Sequence, residues 1–212
     1  MSSRQSHAFT HHAAQYLVPY KAEHIDCVSL FGNHNPVICD IGFGMGRGLI
    51  HQIQQYPQYN YIGIEVYPPG VGSTMALAAE QGVTQLRIIQ HDAIAVLSDM
   101  IEDASLAKIQ LLYPDPWPKK RHHKRRIIAP HFLDLAAHKL QHKGCFQIIT
   151  DWSHYAEQID ETVGAAARFA ACHDGQSVDG SWPDPLATNY AQKAVAKGHV
   201  IANKIFRFTA TR

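Results

Sequence analysis

The sequence of 212 residues lacks an apolar run long enough to cross a bilayer and a charged-then-apolar segment of the secretory kind. We therefore expect a soluble, cytoplasmic protein with no membrane partner. Its 15 histidines occur without an H-E-x-x-H or Cys/His ligand spacing, so no metal site is expected. The four cysteines are far apart and form no C-x-x-C pair, which favours reduced thiols over a disulfide framework. They are Cys27, Cys39, Cys145 and Cys172.

Charged residues are also scarce, at 17% against a usual quarter, but the hydrophobic fraction of 46% indicates a folded globular chain. The formal net charge of +1 conceals an uneven distribution. Six of the 19 Lys and Arg residues lie between Lys119 and Arg126, where there is no acid, which leaves 13 cations against 18 acids elsewhere. A local positive field of this kind is typical of an anion-binding patch, although a solvated surface turn is the simpler alternative.

The cationic run follows the segment LLYPDPWP, in which an apolar strand-like stretch stops at three closely spaced prolines. Pro114, Pro116 and Pro118 restrict the backbone to extended geometry and predict a stiff loop instead of a helix. Asp115 is held between two of these prolines, and a rigid acid at the end of a strand is a candidate site residue.

Strand-like and helical segments alternate from Pro36 onward. This alternation predicts an α/β fold with a mostly parallel, doubly wound sheet. A helix is predicted from Ser153 to Ala171, and the alternating HVIANKIFRF near the end predicts an antiparallel strand at the sheet edge. We expect residues 1–35 to form an N-terminal extension of unclear role and residues 36–212 to form the main domain. Strands are predicted at 61–66, 86–90, 108–113 and 144–150, after a first strand that begins near Pro36.

Acidic residues follow the predicted parallel strands, at the sheet edge where such folds bind their ligands. They are Asp40, Glu65, Asp92, Asp115 and Asp151. Each acid alone is an ordinary loop charge, but the set in this order favours a nucleoside-like ligand. An ionised carboxylate is an acceptor only, so Glu65 suits a ribose diol and Asp92 an adenine amino group. Asp40 would face a cationic amino-acid group.

The first strand leads into Asp40-Ile-Gly-Phe-Gly-Met-Gly, which places glycines at every second position. A dinucleotide fingerprint requires G-x-G-x-x-G, and counting from Gly42 its third glycine position is Arg47, which disfavours a nicotinamide dehydrogenase. The pattern instead resembles the first motif of S-adenosylmethionine-dependent methyltransferases. Gly42 and Gly44 would let a cofactor approach the backbone closely.

Several blocks together resemble the bacterial tRNA (guanine-N7)-methyltransferases: DIGFGMG, GIEVY, HDAIAVL, YPDPWPKKRHHKRRI, ITDW, and a final TNY followed by GHVI. The resemblance spans about residues 36–208 and is most specific in the PDPW-to-KRR block. It implies a Rossmann-like methyltransferase fold, S-adenosyl-L-methionine as cofactor and tRNA as partner. The implied reaction is methylation of guanine 46 in the variable loop, by a monomer or homodimer.

The resemblance also implies roles for individual residues. The cofactor would be bound by Asp40, Gly42, Gly44, Glu65, Asp92 and Asp115. Asp115 would be the catalytic residue, where cofactor and target guanine meet. Lys119, Asp151 and Thr188 match positions that contact the substrate. The RNA-contacting run corresponds to Arg121, Lys124, Arg125 and Arg126.

The sequence departs from the family pattern in its last block, which usually reads Thr-x-Phe-Glu-x-Arg and here reads TNYAQK. Ala191 stands where the family has an acid, and Tyr67 stands where it usually has histidine after Glu-Val. Two alternatives to the implied function follow. One is a tRNA-binding relative with weak or no activity, and the other is a methyltransferase that acts on another RNA.

Overall fold

The computed structural model describes residues 1–172 and 194–209, and within them the chain forms a mixed sheet with helices on both faces. The seven strands are arranged in the order β3-β2-β1-β4-β5-β7-β6. Strands β1 to β5 pair in parallel, whereas β7 is antiparallel to both β5 and β6. The strands are β1 (Val37–Ile41), β2 (Asn60–Ile64), β3 (Leu86–Ile89), β4 (Leu106–Leu112), β5 (Leu140–Thr150), β6 (Phe169–Ala171) and β7 (Ala202–Phe208).

Helices connect successive parallel strands, as the sequence alternation predicts. Three short or medium helices come first, namely α1 (Ser3–His11), α2 (Ala13–Tyr16) and α3 (Cys27–Phe31). The crossover helices are α4 (Arg47–Gln55), α5 (Pro68–Glu80), α6 (Ala93–Asp99), α7 (Pro130–Lys139) and α8 (Ser153–Gly164). A 3₁₀ helix, η1 (Lys120–Arg125), lies within the cationic run.

The core has two layers because successive residues of a strand point to opposite faces of the sheet. In β1, Val37, Cys39 and Ile41 belong to the layer that α6, α7 and α8 cover. Ile38 belongs to the other layer, under α1, α4 and α5. All five residues of β1 are buried, as expected for a central strand of a doubly wound sheet.

The first two helices, for which the sequence indicates no role, pack on this second layer. Helix α1 begins with a capping box formed by Ser2 and Gln5. Arg4 forms a bidentate pair with Glu80 at the end of α5, with both N–O distances at 2.8 Å. The buried Tyr16 hydroxyl donates to the Val83 carbonyl at 2.7 Å. This bond attaches the end of α2 to the residues just before β3.

The predicted fold class is confirmed, including the antiparallel strand near the C-terminus, but two elements differ in detail. The helix predicted to reach Ala171 ends at Gly164, and the residues after it form the short strand β6. Strand β6 therefore takes the edge position, and β7 lies one place inside it.

All four cysteines are free thiols. Within the described residues, no helix is long and apolar enough to span a membrane. The same ranges contain no group of three His, Cys, Asp or Glu side chains arranged to hold a metal ion.

Candidate functional site

A cavity of about 330 Å³ opens at the carboxyl ends of β1, β2, β3 and β4. Four of the predicted cofactor residues line it, namely Gly42, Glu65, Asp92 and Asp115. Its apolar wall includes Ile41, Ile64, Leu111, Leu112 and Ile127. The sheet thus brings together predicted cofactor residues that are as many as 73 positions apart in the sequence, from Gly42 to Asp115.

The glycine-rich turn after β1 has a left-handed backbone at each glycine and packs closely against α5 at Gly46. Gly42, Gly44 and Gly46 all have positive φ, at 75°, 58° and 80°. A Cβ atom on Gly46 would lie 2.1 Å from the Thr74 hydroxyl oxygen, and one on Gly70 would lie 2.3 Å from the Gly44 carbonyl oxygen. Gly46 and Gly70 therefore allow close packing of the turn on α5, whereas Gly42 and Gly44 are favoured by their positive φ, since a Cβ there would meet nothing within 4 Å.

Glu65 holds this turn in place. One of its carboxylate oxygens accepts a hydrogen bond from the Gly44 N–H at 2.8 Å. The other accepts from the N–H groups of Val66 and Tyr67, at 2.8 and 3.0 Å. A carboxylate has about four acceptor sites, so three backbone bonds leave about one site for a further donor. Glu65 thus links the end of β2 to the glycine turn as well as lining the cavity.

Asp40 lies beneath the turn, and its side chain is buried with neither oxygen hydrogen-bonded within the described residues. Its neighbour on β4, Gln110, is paired instead with Gln52 through reciprocal amide bonds of 2.7 and 3.1 Å. Burial raises the pKa of Asp40 to about 7, against the opposing effects of Gln110 and of the Lys108 ammonium. Burial in turn lowers the pKa of Lys108. An unpaired buried carboxylate is costly, and it suits a cationic ligand group that replaces its lost hydration.

Asp92 is exposed at the N-terminus of α6, where one oxygen caps the helix by accepting from the Ala95 N–H at 3.0 Å. The preceding residue, His91, also lines the cavity. Its ring stacks on Tyr20 with centroids 3.8 Å apart and an interplanar angle of 6°. The Tyr20 hydroxyl donates to Asp99 on the same helix. The N-terminal segment therefore supports the wall of the cavity around Asp92, a role that the sequence does not reveal.

The proline-rich segment after β4 forms the loop predicted from the sequence and holds Asp115 at the cavity mouth. Tyr113 and Trp117 on either side have positive φ, at 57° and 42°, a conformation that is rare for bulky residues. The Tyr113 N–H is bonded to the Ile149 carbonyl at 2.7 Å. No donor among the described residues is bonded to the exposed Asp115 carboxylate. Asp115 is thus placed rigidly while its oxygens stay available.

The cationic run divides into exposed and buried members. Arg121, Lys124 and Arg125 are exposed, and Arg125 also lines the cavity. Arg126 is only 3% exposed: its guanidinium donates to the Pro116 carbonyl at 2.7 Å and to Gln158 at 2.6 Å, above the Tyr155 ring. Arg126 therefore contacts protein and supports the loop from below, although the sequence groups it with the exposed cations.

Two other predicted residues, Lys119 and Asp151, are not part of the cavity wall. Lys119 is exposed at the start of η1. Asp151, just after β5, pairs with His199 at 3.2 Å, which brings the segment before β7 to the same sheet edge. Thr188 and the departure at Ala191 lie outside the described residues.

Comparison with known sequences identifies the family. Residues 34–204 match a family described as putative methyltransferase. A tRNA (guanine-N(7)-)-methyltransferase of Aeromonas hydrophila is 44% identical over 195 residues, which cover 90% of this chain and 80% of the relative. The enzyme of the same name from Actinobacillus succinogenes is 46% identical over 209 residues, covering 97% and 83%.

Comparison with solved structures supports the fold. The 16S rRNA methyltransferase KamB aligns with a TM-score of 0.61 at 12% identity, over 89% of this chain and 95% of that one. A 16S rRNA (adenine(1408)-N(1))-methyltransferase from Catenulisporales acidiphilia aligns with a TM-score of 0.56 at 14% identity, over 85% and 89%. The second structure contains the cosubstrate SAM.

Proposed function

The chain belongs to the tRNA (guanine-N7)-methyltransferase family, and we propose that it methylates N7 of guanine 46 in the variable loop of tRNA. The observation that carries this proposal is a single cavity shared by the strand-end acids and Arg125 of the cationic run. The cavity offers acceptors for a nucleoside-like cofactor, and its rim offers cations for an RNA backbone. A methyl donor and a tRNA thus meet at Asp115.

The cofactor is S-adenosyl-L-methionine, and the residues present fit it. Its cationic amino-acid group matches Asp40, the buried carboxylate without a hydrogen-bond partner among the described residues. The open oxygen of Asp92 and the remaining acceptor capacity of Glu65 suit the hydroxyl and amino donors of adenosine. Gly42 and Gly44 carry no side chain, so a ligand can approach the backbone of the turn closely.

The bound cofactor supplies a methyl group on a positively charged sulfur. Guanine N7 has a free lone pair, so it attacks that methyl without losing a proton, and no general base is required. The protein's contribution is then to orient the two reactants and to stabilise charge as it passes from sulfur to the purine. A site built from carboxylates is consistent with this chemistry.

Asp115 is the residue best placed for both tasks. It lies at the cavity mouth on a loop that three prolines stiffen, and its oxygens are exposed. A carboxylate there can accept hydrogen bonds from the donor edge of guanine and favour the positive charge that develops on the purine. Because the loop is ordered before the substrate arrives, little conformational entropy is lost on binding.

The exposed cations of the loop bind the tRNA backbone. Arg121, Lys124 and Arg125 lie together on one short helix beside the cavity. Contacts from such side chains to phosphates release counterions, so they give affinity that falls with salt and does not depend on base sequence. Selection of guanine over other bases therefore depends on contacts within the cavity.

The test is transfer of labelled methyl from S-adenosyl-L-methionine to unmodified tRNA, followed by digestion and identification of the modified base. We expect 7-methylguanosine from the variable loop. Detection of another modified base, or of 7-methylguanosine at another RNA position, would show that the proposed substrate is wrong. Binding of cofactor and tRNA without methyl transfer would indicate a tRNA-binding relative without activity. Ala191, which stands where the family has an acid, would then be the first residue to test.

The same assay tests the role of Asp115. Asp115→Ala should reduce turnover by at least about 100-fold, on the scale of losing one electrostatic contact to a transition state, and leave tRNA binding nearly intact. The matched control is Asp134→Ala, an exposed acid of α7 that does not line the cavity, which should keep normal turnover. Near-normal methylation by the Asp115 variant would exclude the assigned role.

A further inference from the structure

Arg125 lies over an aromatic ring inside the candidate active site. Its guanidinium carbon is 4.9 Å from the centroid of the Trp117 ring. Both side chains line the cavity that contains Asp115. No hydrogen-bond acceptor or acid among the described residues is paired with this guanidinium, so its interaction with the ring is its one described contact. A cation of the RNA-binding run therefore covers an aromatic face at the point where the target base must enter.

The Trp117 ring itself is fixed. Its backbone has a φ of 42° between two prolines, and the Trp117 and His122 rings form a T-shaped contact with centroids 5.9 Å apart. Arg125, by contrast, is exposed and is the last residue of a short 3₁₀ helix. The arrangement joins a rigid aromatic surface to a movable cation.

We propose that Arg125 occupies, in the free protein, the face of Trp117 on which the target guanine stacks, and that it leaves this face when it binds a tRNA phosphate. This inference rests on the proposed function and adds to it a stacking site and an exchange of cations. Arg125 and Trp117 thereby act as positioning residues that couple phosphate binding to base entry.

The exchange is favourable for physical reasons. A cation over a partly exposed ring is worth a factor of about two to five in an equilibrium, which is less than a charge-assisted bond to phosphate provides. Stacking of a displaced base on an aromatic side chain is a common mode of RNA recognition.

Methyl transfer would again place a cation over the Trp117 ring. The N7–carbon bond forms as the sulfur–carbon bond breaks, and the electron pair of that bond stays on sulfur. The positive charge then lies on the stacked purine, so Trp117 again faces a cation. The aromatic surface thus interacts more strongly with the methylated base than with the neutral guanine.

A simpler role for the contact is to stiffen the loop, and the two roles predict opposite results for a ligand without phosphate. If Arg125 competes with the base, its removal frees the ring and guanosine binds more tightly. If Arg125 only supports the loop, its removal disorders the site and guanosine binds equally or more weakly.

The experiment measures binding of guanosine and, separately, of tRNA to the full chain saturated with S-adenosylhomocysteine. Arg125→Ala should raise guanosine affinity about two- to five-fold while lowering tRNA affinity at moderate salt. Lys124→Ala is the matched control, since Lys124 is the adjacent exposed cation and does not line the cavity. It should lower tRNA affinity and leave guanosine binding unchanged.

A double-variant cycle with Trp117→Leu then identifies the ring as the shared surface. In the Trp117→Leu background, Arg125→Ala should no longer raise guanosine affinity. Unchanged or weaker guanosine binding to Arg125→Ala in the native background would overturn the inference. If the wild-type protein makes 7-methylguanosine in tRNA, that result leaves the proposed function standing, whereas absence of the product refutes the function independently.

Discussion

Replacing the buried acid at the end of β1 should make the free protein more stable and prevent it from binding its cofactor. The Asp40 side chain is 1% exposed and has no hydrogen-bond partner within the described residues. Burial raises its pKa from 3.8 to about 7. Asp40→Asn removes the charge and keeps the shape, so it isolates the cost of holding an unpaired carboxylate in the core.

The sign of the effect follows from proton linkage. Between the ordinary pKa and the raised one, the folded protein keeps a proton that the unfolded chain has released, so wild-type stability falls as the pH rises through this window. Each pH unit between the two pKa values lowers the free energy of unfolding of the wild type by about 1.4 kcal/mol. At pH values above the folded pKa the total loss is therefore roughly 4 kcal/mol. Asp40→Asn removes this loss, but a buried asparagine amide without hydrogen-bond partners itself costs about 1 to 3 kcal/mol.

We therefore expect the cofactor-free Asp40→Asn variant to be more stable than the wild type by about 1 to 3 kcal/mol at about pH 8. For a chain of this size that corresponds to a rise in melting temperature of about 2 to 12 °C. The difference should shrink by about 2 kcal/mol when the pH is lowered to about 5.5, because Asp40 is then protonated in the folded wild type.

The assay is thermal unfolding at both pH values, with and without S-adenosyl-L-methionine. The cofactor should stabilise the wild type, less so below the raised pKa, and should leave the variant unchanged. Asp134→Asn on the exposed face of α7 is the control and should show neither effect. A variant no more stable than the wild type at about pH 8, or one that still binds the cofactor, would refute the reasoning about Asp40.

Two further substitutions test the glycine turn and the support of the cationic loop. Gly46→Ala should destabilise the protein by about 2 to 5 kcal/mol in chemical denaturation, since its Cβ meets Thr74 at 2.1 Å and its φ is 80°. Gly82→Ala, where φ is 64° and no atom lies within 4 Å, should cost only about 1 to 2 kcal/mol, and equal losses would contradict the steric explanation. Arg126→Ala should lower the free energy of unfolding by about 2 to 3 kcal/mol in the same measurement, because it removes charged hydrogen bonds to Pro116 and Gln158. A loss of tRNA binding at unchanged stability would instead show that Arg126 faces RNA.

The alternation of elements and the strand-end acids could be predicted from the sequence because both follow from local patterns. Parallel strands buried on both faces read as continuous apolar runs, and the polar residues that follow them must lie at one edge of the sheet. The sheet accordingly brings Glu65, Asp92 and Asp115 to the cavity wall. The individual binding roles assigned to them remain predictions.

Other features depend on contacts between distant segments and leave no local signal. Nothing near Tyr20 indicates that its ring stacks on His91, which lies 71 positions later in the sequence. Arg126 looks identical to Arg125 in the sequence, and only the packing against Tyr155 separates them. The end of α8 did have a signal, since Gly164 occupies its last position, but the apolar residues beyond it continue a helical pattern.

The directions of β6 and β7 bring two distant parts of the chain to one edge of the sheet. Strand β6 runs toward the sheet edge that carries the cavity, and β7 starts from that edge, with Ala202 beside Thr150 at the end of β5. The described segments on either side of residues 173–193 therefore both meet the sheet at this edge, next to the candidate active site.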